Sequence, residues 1–428
     1  MLEKLFKLQQ RSTTVRTEAL AGVTTFLTAA YIVFVHPAIL SRAGMDQGAL
    51  TTVTCLVAAI ATGLIALWAN APLMMAPGMG LNAFFTYSLV LGQGVAWPTA
   101  LGVVFISGVM FLVLTWVGVR EKVARAIPTS LRLATSVGIG FFIAFIGLQN
   151  LGLIVKSDAV LVQLGSFSPA VMLGLGGLIL AVILEIRRVR GAILLAIIAT
   201  TLVGILVGQA PLPEGVIAAP PSLAPLAFRL DILGALKLSF WSSIFSFMFV
   251  DLFDSLGTML AVSREAGLTD DHGEVHNLSQ MLQADAWATI FGALLGTSTT
   301  TTFIESASGV ADGGRTGLTS IVTAGCFLLA MFFTPLIGAV PAFATAPALI
   351  LVGIFMMRGI SQIDFYNFEE AAPAFLTFIL MPLTYSIATG LAFGFVTFVL
   401  IKLLLGKARE LNPFLIGAAI FSLISLLI

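Results

Sequence analysis

Three carboxylates stand where the surrounding sequence is almost wholly apolar. Glu305 lies in GTSTTTTFIESASGV, Gly296 to Val310, among five threonines and three serines, between a hydrophobic segment ending at Leu295 and another beginning near Leu318. Asp251 and Asp254 fall in SFMFVDLFDSLGTML, three residues apart among phenylalanines and therefore on one face of a helix. A charge or a free backbone amide at membrane depth is costly, so groups of this kind are kept there to bind something. An ionised carboxyl accepts hydrogen bonds, a protonated one donates, and hydroxyls do either: this is equipment for reading the edge of a polar ligand or for carrying a proton. Of the two aspartates, Asp254 has the more polar and less crowded neighbourhood, with Ser255 and Gly257 following it, and is the preferred ligand. Asp251 is then a structural or coupling partner, and the reverse assignment stays open.

Other polar residues carry less weight. The first apolar segment holds Thr24, Thr25, Thr28, Tyr31 and His36; the histidine, just before Pro37, can line a site and titrate or serve as a hydrogen-bonded residue at a helix break. Gln149 and Asn150 belong to a gate surface, and Glu185 beside Arg187 and Arg188 is an interfacial charge. The loop SREAGLTDDHGEVHN, with His272 and His276, reads as solvated rather than metal-binding. Cys55 and Cys326 lie in apolar segments without metal-like spacing, so no metal site and no cofactor are expected. GGRTG lacks the strand and lysine of a phosphate loop and reads as a turn anchored by Arg315.

What must position the carboxylates is a membrane domain. With 58% hydrophobic and 10% charged residues over 428 positions and a mean hydropathy of +1.06, no soluble surface can be built at this length. The net charge of +0 offers no field for nucleic acid. On a ruler of roughly 20 apolar residues per span, spans fall near 18–40, 50–70, 79–93, 97–118, 130–153, 168–186 and 190–208. After a proline-rich loop come 237–262, 282–296, 302–313, 317–338, 343–360, 371–385 and 388–406. With fourteen spans and a cytoplasmic N-terminus, seventeen of the 21 basic residues fall inside, Arg120, Lys122 and Arg125 among them, and only Arg42, Lys156, Arg229 and Lys237 outside. The last apolar stretch, Pro413 to Ile428, is short for a span and either crosses or lies in the interface. The N-terminal MLEKLFKLQQRSTTVR reads as a retained cytoplasmic helix rather than a signal peptide.

Two sets of seven spans imply an inverted repeat. The third span opens on ANAPLMMAPGMGLNAFF, whose Pro72, Pro77, Gly78 and Gly80 predict an extended entry that becomes helical near Leu81. The tenth does the same: Thr297 to Thr302 favours extended backbone and helix begins near Ile304. Paired interrupted segments at equivalent positions point to a midplane transport site, with Asn82 and Glu305 near two half-helix starts.

PGMGLNAFF, VDLFDSLGTML, TSTTTTFIESASGV and GGRTGLTS together resemble the AzgA-like purine permeases of the nucleobase cation symporter-2 (nucleobase-ascorbate transporter) superfamily, over about Val15 to Lys407. The resemblance implies that Asp254, Glu305 and Asn82 bind substrate. It implies an all-α membrane fold of 7+7 inverted spans with a core domain (17–118 and 237–338, spans 1–4 and 8–11) and a gate domain (119–208 and 339–406, spans 5–7 and 12–14). An N-terminal cytoplasmic helix (1–16), an extracytoplasmic loop (209–236) and a hydrophobic tail (407–428) complete the chain. It further implies proton symport and a homodimer in a bacterial inner membrane. His36 departs from the family pattern, where Asn before Pro is expected.

Under that reading the substrate is a purine base, adenine, guanine or hypoxanthine. Two carboxylates and an amide read its edge, with Thr28, Thr302 and Ser306 as further polar contacts and Phe84, Phe249 or Phe303 stacking on its face. Glu305 takes the coupled proton, with Asp251, Asp254 and His36 as further coupling candidates. Sodium coupling, and an anion, sulfate or other nucleobase substrate on the same architecture, are the alternatives. An intramembrane enzyme is disfavoured because no nucleophile constellation or metal cluster accompanies the acids.

Overall fold

The computed structural model describes residues 2–118, 126–270 and 274–427. The basic residues Arg120, Lys122 and Arg125 and the loop residue His272 lie outside the described residues. Among those described, nine helices are long and apolar enough to cross a membrane. They are spans 1, 2, 4, 5, 6, 8, 11, 12 and 14. The other five crossings are shorter or more polar: Met79–Gly92, Ala192–Leu206, Leu278–Leu295, Ser306–Ala311 and Phe368–Thr384. The fourteen expected spans are therefore all helical, each within a few residues of its expected bounds.

Two crossings begin as strands. Met75–Pro77 pairs antiparallel with Thr300–Thr302 in the register Met75 to Thr302, Ala76 to Thr301 and Pro77 to Thr300. The pairing satisfies backbone groups that would otherwise be bare at the centre of the bundle. It is extended at both ends, where Gly78 N donates to Thr299 O at 2.9 Å and Phe303 N to Met74 O at 2.9 Å. Pro77 removes one donor and Gly78 permits the close approach: a Cβ there would stand 2.8 Å from Thr301 Cγ2. Helix resumes at Met79 in span 3 and at Ser306 in span 10.

Span 1 is also interrupted. Val15–Ala29 ends at a two-residue break, Ala30 and Tyr31, before Ile32–Leu40 continues.

Spans 1, 2, 4, 9 and 11 pack together around the paired strands, and spans 5, 6, 7, 12, 13 and 14 form a second bundle beside them. The second bundle crosses glycine on glycine. A Cβ on Gly140 of span 5 would lie 2.7 Å from Gly353 O of span 12, and one on Gly353 would lie 2.5 Å from Gly140 O. These spans occupy equivalent places in the two halves. In the first bundle, Glu18 is fully buried and accepts from the backbone N–H of Arg315, Thr316 and Thr319 and from both threonine hydroxyls. It thereby caps Gly317–Ala330, the helix of span 11, where a carboxylate meets the positive end of the helix dipole. The tail helix Pro413–Leu427 packs on span 14 and touches span 8, with Phe421 5.2 Å from Phe245 and Ser425 Oγ 2.5 Å from Ser242 Oγ.

Candidate functional site

A cavity of about 770 Å³ lies between the bundles. Spans 1, 3, 8 and 10 supply one wall through Thr28, Tyr31, Gly80, Asp254, Thr302 and Glu305, with Phe303 beside them. Leu133 and Ser136 of span 5 and Val352 and Phe355 of span 12 face them from the other bundle. Exposed residues at the ends of spans 6 and 12 and before span 7, Glu185, Arg188, Arg190 and Arg358, line its opening.

The strand pairing is what brings the acids together. Because helix starts only after the threonine strand, Glu305 sits immediately before the first turn of Ser306–Ala311. Tyr31, at the break of span 1, donates to Glu305 Oε1 at 2.6 Å. Asp254 arrives on Trp241–Glu265, the helix of span 8, and faces the same space together with Gly257 and Thr258. Thr302 is 3% exposed, and its hydroxyl has no hydrogen-bond partner among the described residues, so it is available to a ligand.

Several expected site residues serve the scaffold instead. Asn82 is fully buried and does not line the cavity; its Nδ2 donates to Pro77 O at 3.2 Å and its Oδ1 accepts from Ser298 Oγ, tying span 3 to span 10. Ser306 lies behind the wall, donating to Phe303 O at 2.7 Å and accepting from Met74 N at 2.9 Å. Phe84 packs on Phe247 with ring centres 4.8 Å apart, and Phe249 on Phe253 at 4.6 Å. Phe303 is therefore the phenylalanine of the expected three that reaches the cavity. His36 is buried away from it, with Nδ1 2.6 Å from Thr54 Oγ1 and Nε2 2.8 Å from Thr297 Oγ1. Asp251, 1% exposed, lies 3.3 Å from each of the hydroxyls of Ser255 and Thr289, which it shares with Asp285 and Thr300 O, behind the cavity wall.

Two polar residues, one lining the cavity and one buried behind its wall, stand out only in the structure. Tyr31 is one hydroxyl among several in span 1, and its contact is with Glu305, 274 residues away in sequence. Asp285 is fully buried in span 9 and accepts from Ser255 Oγ at 2.9 Å. A lone carboxylate in LQADAWATIFG is itself the signal that could have found it.

A bundle of helices with two strand-initiated crossings beside one carboxylate-bearing cavity defines a membrane carrier of the inverted-repeat class. The transmembrane domain of the cyanobacterial bicarbonate transporter BicA superposes with a TM-score of 0.64 at 16% identity, covering 87% of this chain and 96% of that one. SLC26A9 gives 0.63 at 10% identity, over 91% and 66%. These likenesses fix the fold as 7+7 inverted spans with core and gate. The family described as Permease family (Xan_ur_permease) matches residues 16–393, and the chain belongs to it. It is 42% identical over 427 residues to the adenine permease AdeP of Escherichia coli, covering 100% of this chain and 96% of that one. It is likewise 42% identical over 428 residues to the guanine/hypoxanthine permease PbuG of Bacillus subtilis, covering 97% of each. The chain is a multi-pass membrane permease and not an enzyme.

Proposed function

We propose that this permease takes up a purine nucleobase by proton symport, alternating access to a site between spans 3, 8 and 10. The observation that carries the reading is the convergence of Asp254 and Glu305 on one cavity. Two carboxyls there suit a neutral heterocycle with N–H donors and ring-nitrogen acceptors, and disfavour an anion. Phe303 offers a face for stacking, and Thr28 and Thr302 add hydroxyls. The names of AdeP and PbuG support adenine, guanine or hypoxanthine as the substrate.

Glu305 is the coupling carboxyl in this reading. Protonated, it donates to the base; substrate and proton then favour each other's binding, which is the thermodynamic content of symport. One positive charge moving inward across 100 mV releases about 2.3 kcal/mol, close to a fiftyfold gradient.

The bundle of spans 1–4 and 8–11 moves as core against the other six spans as gate. The cavity opens beside the connections after spans 6 and 12, which the positive-inside orientation assigns to the cytoplasm, so this conformation is inward-open. The remaining parts of the reading are a cytoplasmic N-terminus, a homodimer, a bacterial cytoplasmic membrane and no cofactor beyond the proton.

Uptake of radiolabelled adenine, guanine, hypoxanthine and uracil into proteoliposomes, with and without an inward proton gradient, tests it. Proton-driven accumulation of a purine is the expected result. Failure of all four bases in folded protein removes the nucleobase assignment, and accumulation of a purine without any proton gradient removes symport.

A further inference from the structure

Span 1 is interrupted beside the cavity. It stops at Ala29, breaks over Ala30 and Tyr31, and restarts at Ile32. Ala30 and Tyr31 keep right-handed helical angles while the hydrogen bonding tightens, Val33 N bonding Ala30 O and Phe34 N bonding Tyr31 O at 3.1 Å each, and the Tyr31 side chain reaches span 10. The side chain is 1% exposed, lines the cavity, and donates its hydroxyl to Glu305 Oε1 at 2.6 Å. Thr28, one turn earlier, turns its hydroxyl back to Thr24 O and Thr25 O at 3.0 and 2.9 Å. Thr28 also reaches the backbone Glu305 O at 3.5 Å, so the tyrosine is the span 1 hydroxyl that bonds the glutamate carboxyl itself.

We infer that Tyr31 is a positioning residue that sets the proton affinity of Glu305, an inference that rests on the reading of Glu305 as the coupling carboxyl. A phenolic O–H donating to a carboxylate forms a short, charge-assisted bond, roughly twice as strong as a neutral one. It favours the ionised carboxylate over the protonated acid. It also occupies one carboxylate oxygen and leaves the other for a proton or a substrate N–H. A carboxyl that took its proton too readily would carry it whether or not substrate were present, and coupling would fail. The charged groups facing this space are Asp254 of span 8, Glu185, Arg188 and Arg190 before span 7, and Arg358 after span 12. All remain when the hydroxyl of Tyr31 is removed, so their field is a constant background to the test.

The experiment is an infrared titration of the full-length protein in lipid, without purine. The Glu305 carboxyl band is identified by its loss in Glu305→Gln. Tyr31→Phe is expected to move its midpoint to higher pH by about one unit, a tenfold rise in proton affinity. In the same preparations the pH profile of labelled adenine and hypoxanthine uptake moves the same way. An unchanged midpoint in folded Tyr31→Phe overturns the inference, since a purely structural tyrosine would alter stability or affinity without moving the titration. If that variant does not fold, biosynthetic replacement of the 4 tyrosines by fluorotyrosine strengthens the donor and must shift the midpoint to lower pH; no shift overturns the inference equally. A shifted midpoint in protein that transports no purine supports the role of Tyr31 and removes the purine reading, so the two fail separately.

Discussion

Arg190 and Asp312 form an ion pair across the line where the two helix bundles meet. Arg190 precedes span 7 and lines the cavity opening, whereas Asp312 ends the half-helix of span 10 and also accepts from Thr24 Oγ1 at 2.6 Å. Among the described residues it is the ion pair that links the two bundles. Its side chains are 63% and 17% exposed. A pair so placed contributes about 0.2–1 kcal/mol, enough to bias the balance between two conformations by up to about fivefold and no more. Arg190→Ala is expected to change the turnover of base exchange within that range while leaving equilibrium affinity within about twofold. Comparing exchange rates with binding constants in the same membranes checks this, and a tenfold loss of affinity at unchanged turnover would show that Arg190 contacts the substrate.

The two aspartates of span 8 are separable by their surroundings. Asp254 faces the cavity, while Asp251 is enclosed by Ser255 and Thr289. A hydrogen bond to a charged group is worth about 1.5–3 kcal/mol. Asp254→Ala is therefore expected to weaken purine binding on the order of 10- to 100-fold. Asp251→Asn should keep affinity within a few-fold and lower thermal stability instead. Direct binding to purified protein separates them; loss of binding confined to the Asp251 variant would reverse the roles.

The half-helix starts were legible because proline, glycine and a threonine run are incompatible with helix for local, steric reasons. Asp254 and Glu305 were legible because a carboxyl in apolar sequence is expensive wherever it lies. Asn82 and Ser306 were harder. Their type and position announce a polar role, but whether an amide turns to a ligand or to Pro77 O depends on which carbonyls the strand pairing leaves without a partner, and that is decided by a segment more than 200 residues away. Tyr31 on Glu305 and Arg190 on Asp312 are tertiary facts of the same kind.

Gly309 tests the packing that holds span 10 in place. A Cβ there would stand 2.1 Å from Thr25 Oγ1 and 2.6 Å from Ala21 O of span 1. The hydroxyl can rotate; the backbone carbonyl cannot move without shifting the helix. Gly309→Ala is expected to destabilise the fold by about 1–3 kcal/mol. Gly325→Ala in span 11, with open space around its Cβ, should be neutral or slightly stabilising because alanine is the better helix former. Thermal unfolding of the two variants in detergent decides, and equal midpoints would mean that spans 1 and 10 are not held at this distance.

His36 yields the last prediction through its hydrogen-bond network. Thr54 Oγ1 lies 2.6 Å from Leu50 O, a carbonyl that can only accept, so the threonine proton is committed there. Thr54 then accepts from His36 Nδ1–H at 2.6 Å, and Nε2 is paired with the Thr297 hydroxyl at 2.8 Å. The ring is fully buried and partnered at both nitrogens, and it joins spans 1 and 2 to the threonine run that begins span 10. Its replacement should therefore be felt in stability rather than in coupling. His36→Ala leaves the buried Thr297 hydroxyl without its partner, at a cost of about 1–3 kcal/mol, and should lower the unfolding temperature. The pH profile of proton-driven uptake by the folded fraction should overlay that of the unaltered protein. A flattened or displaced profile would instead make His36 part of the proton pathway, reached through Thr297 and the paired strands.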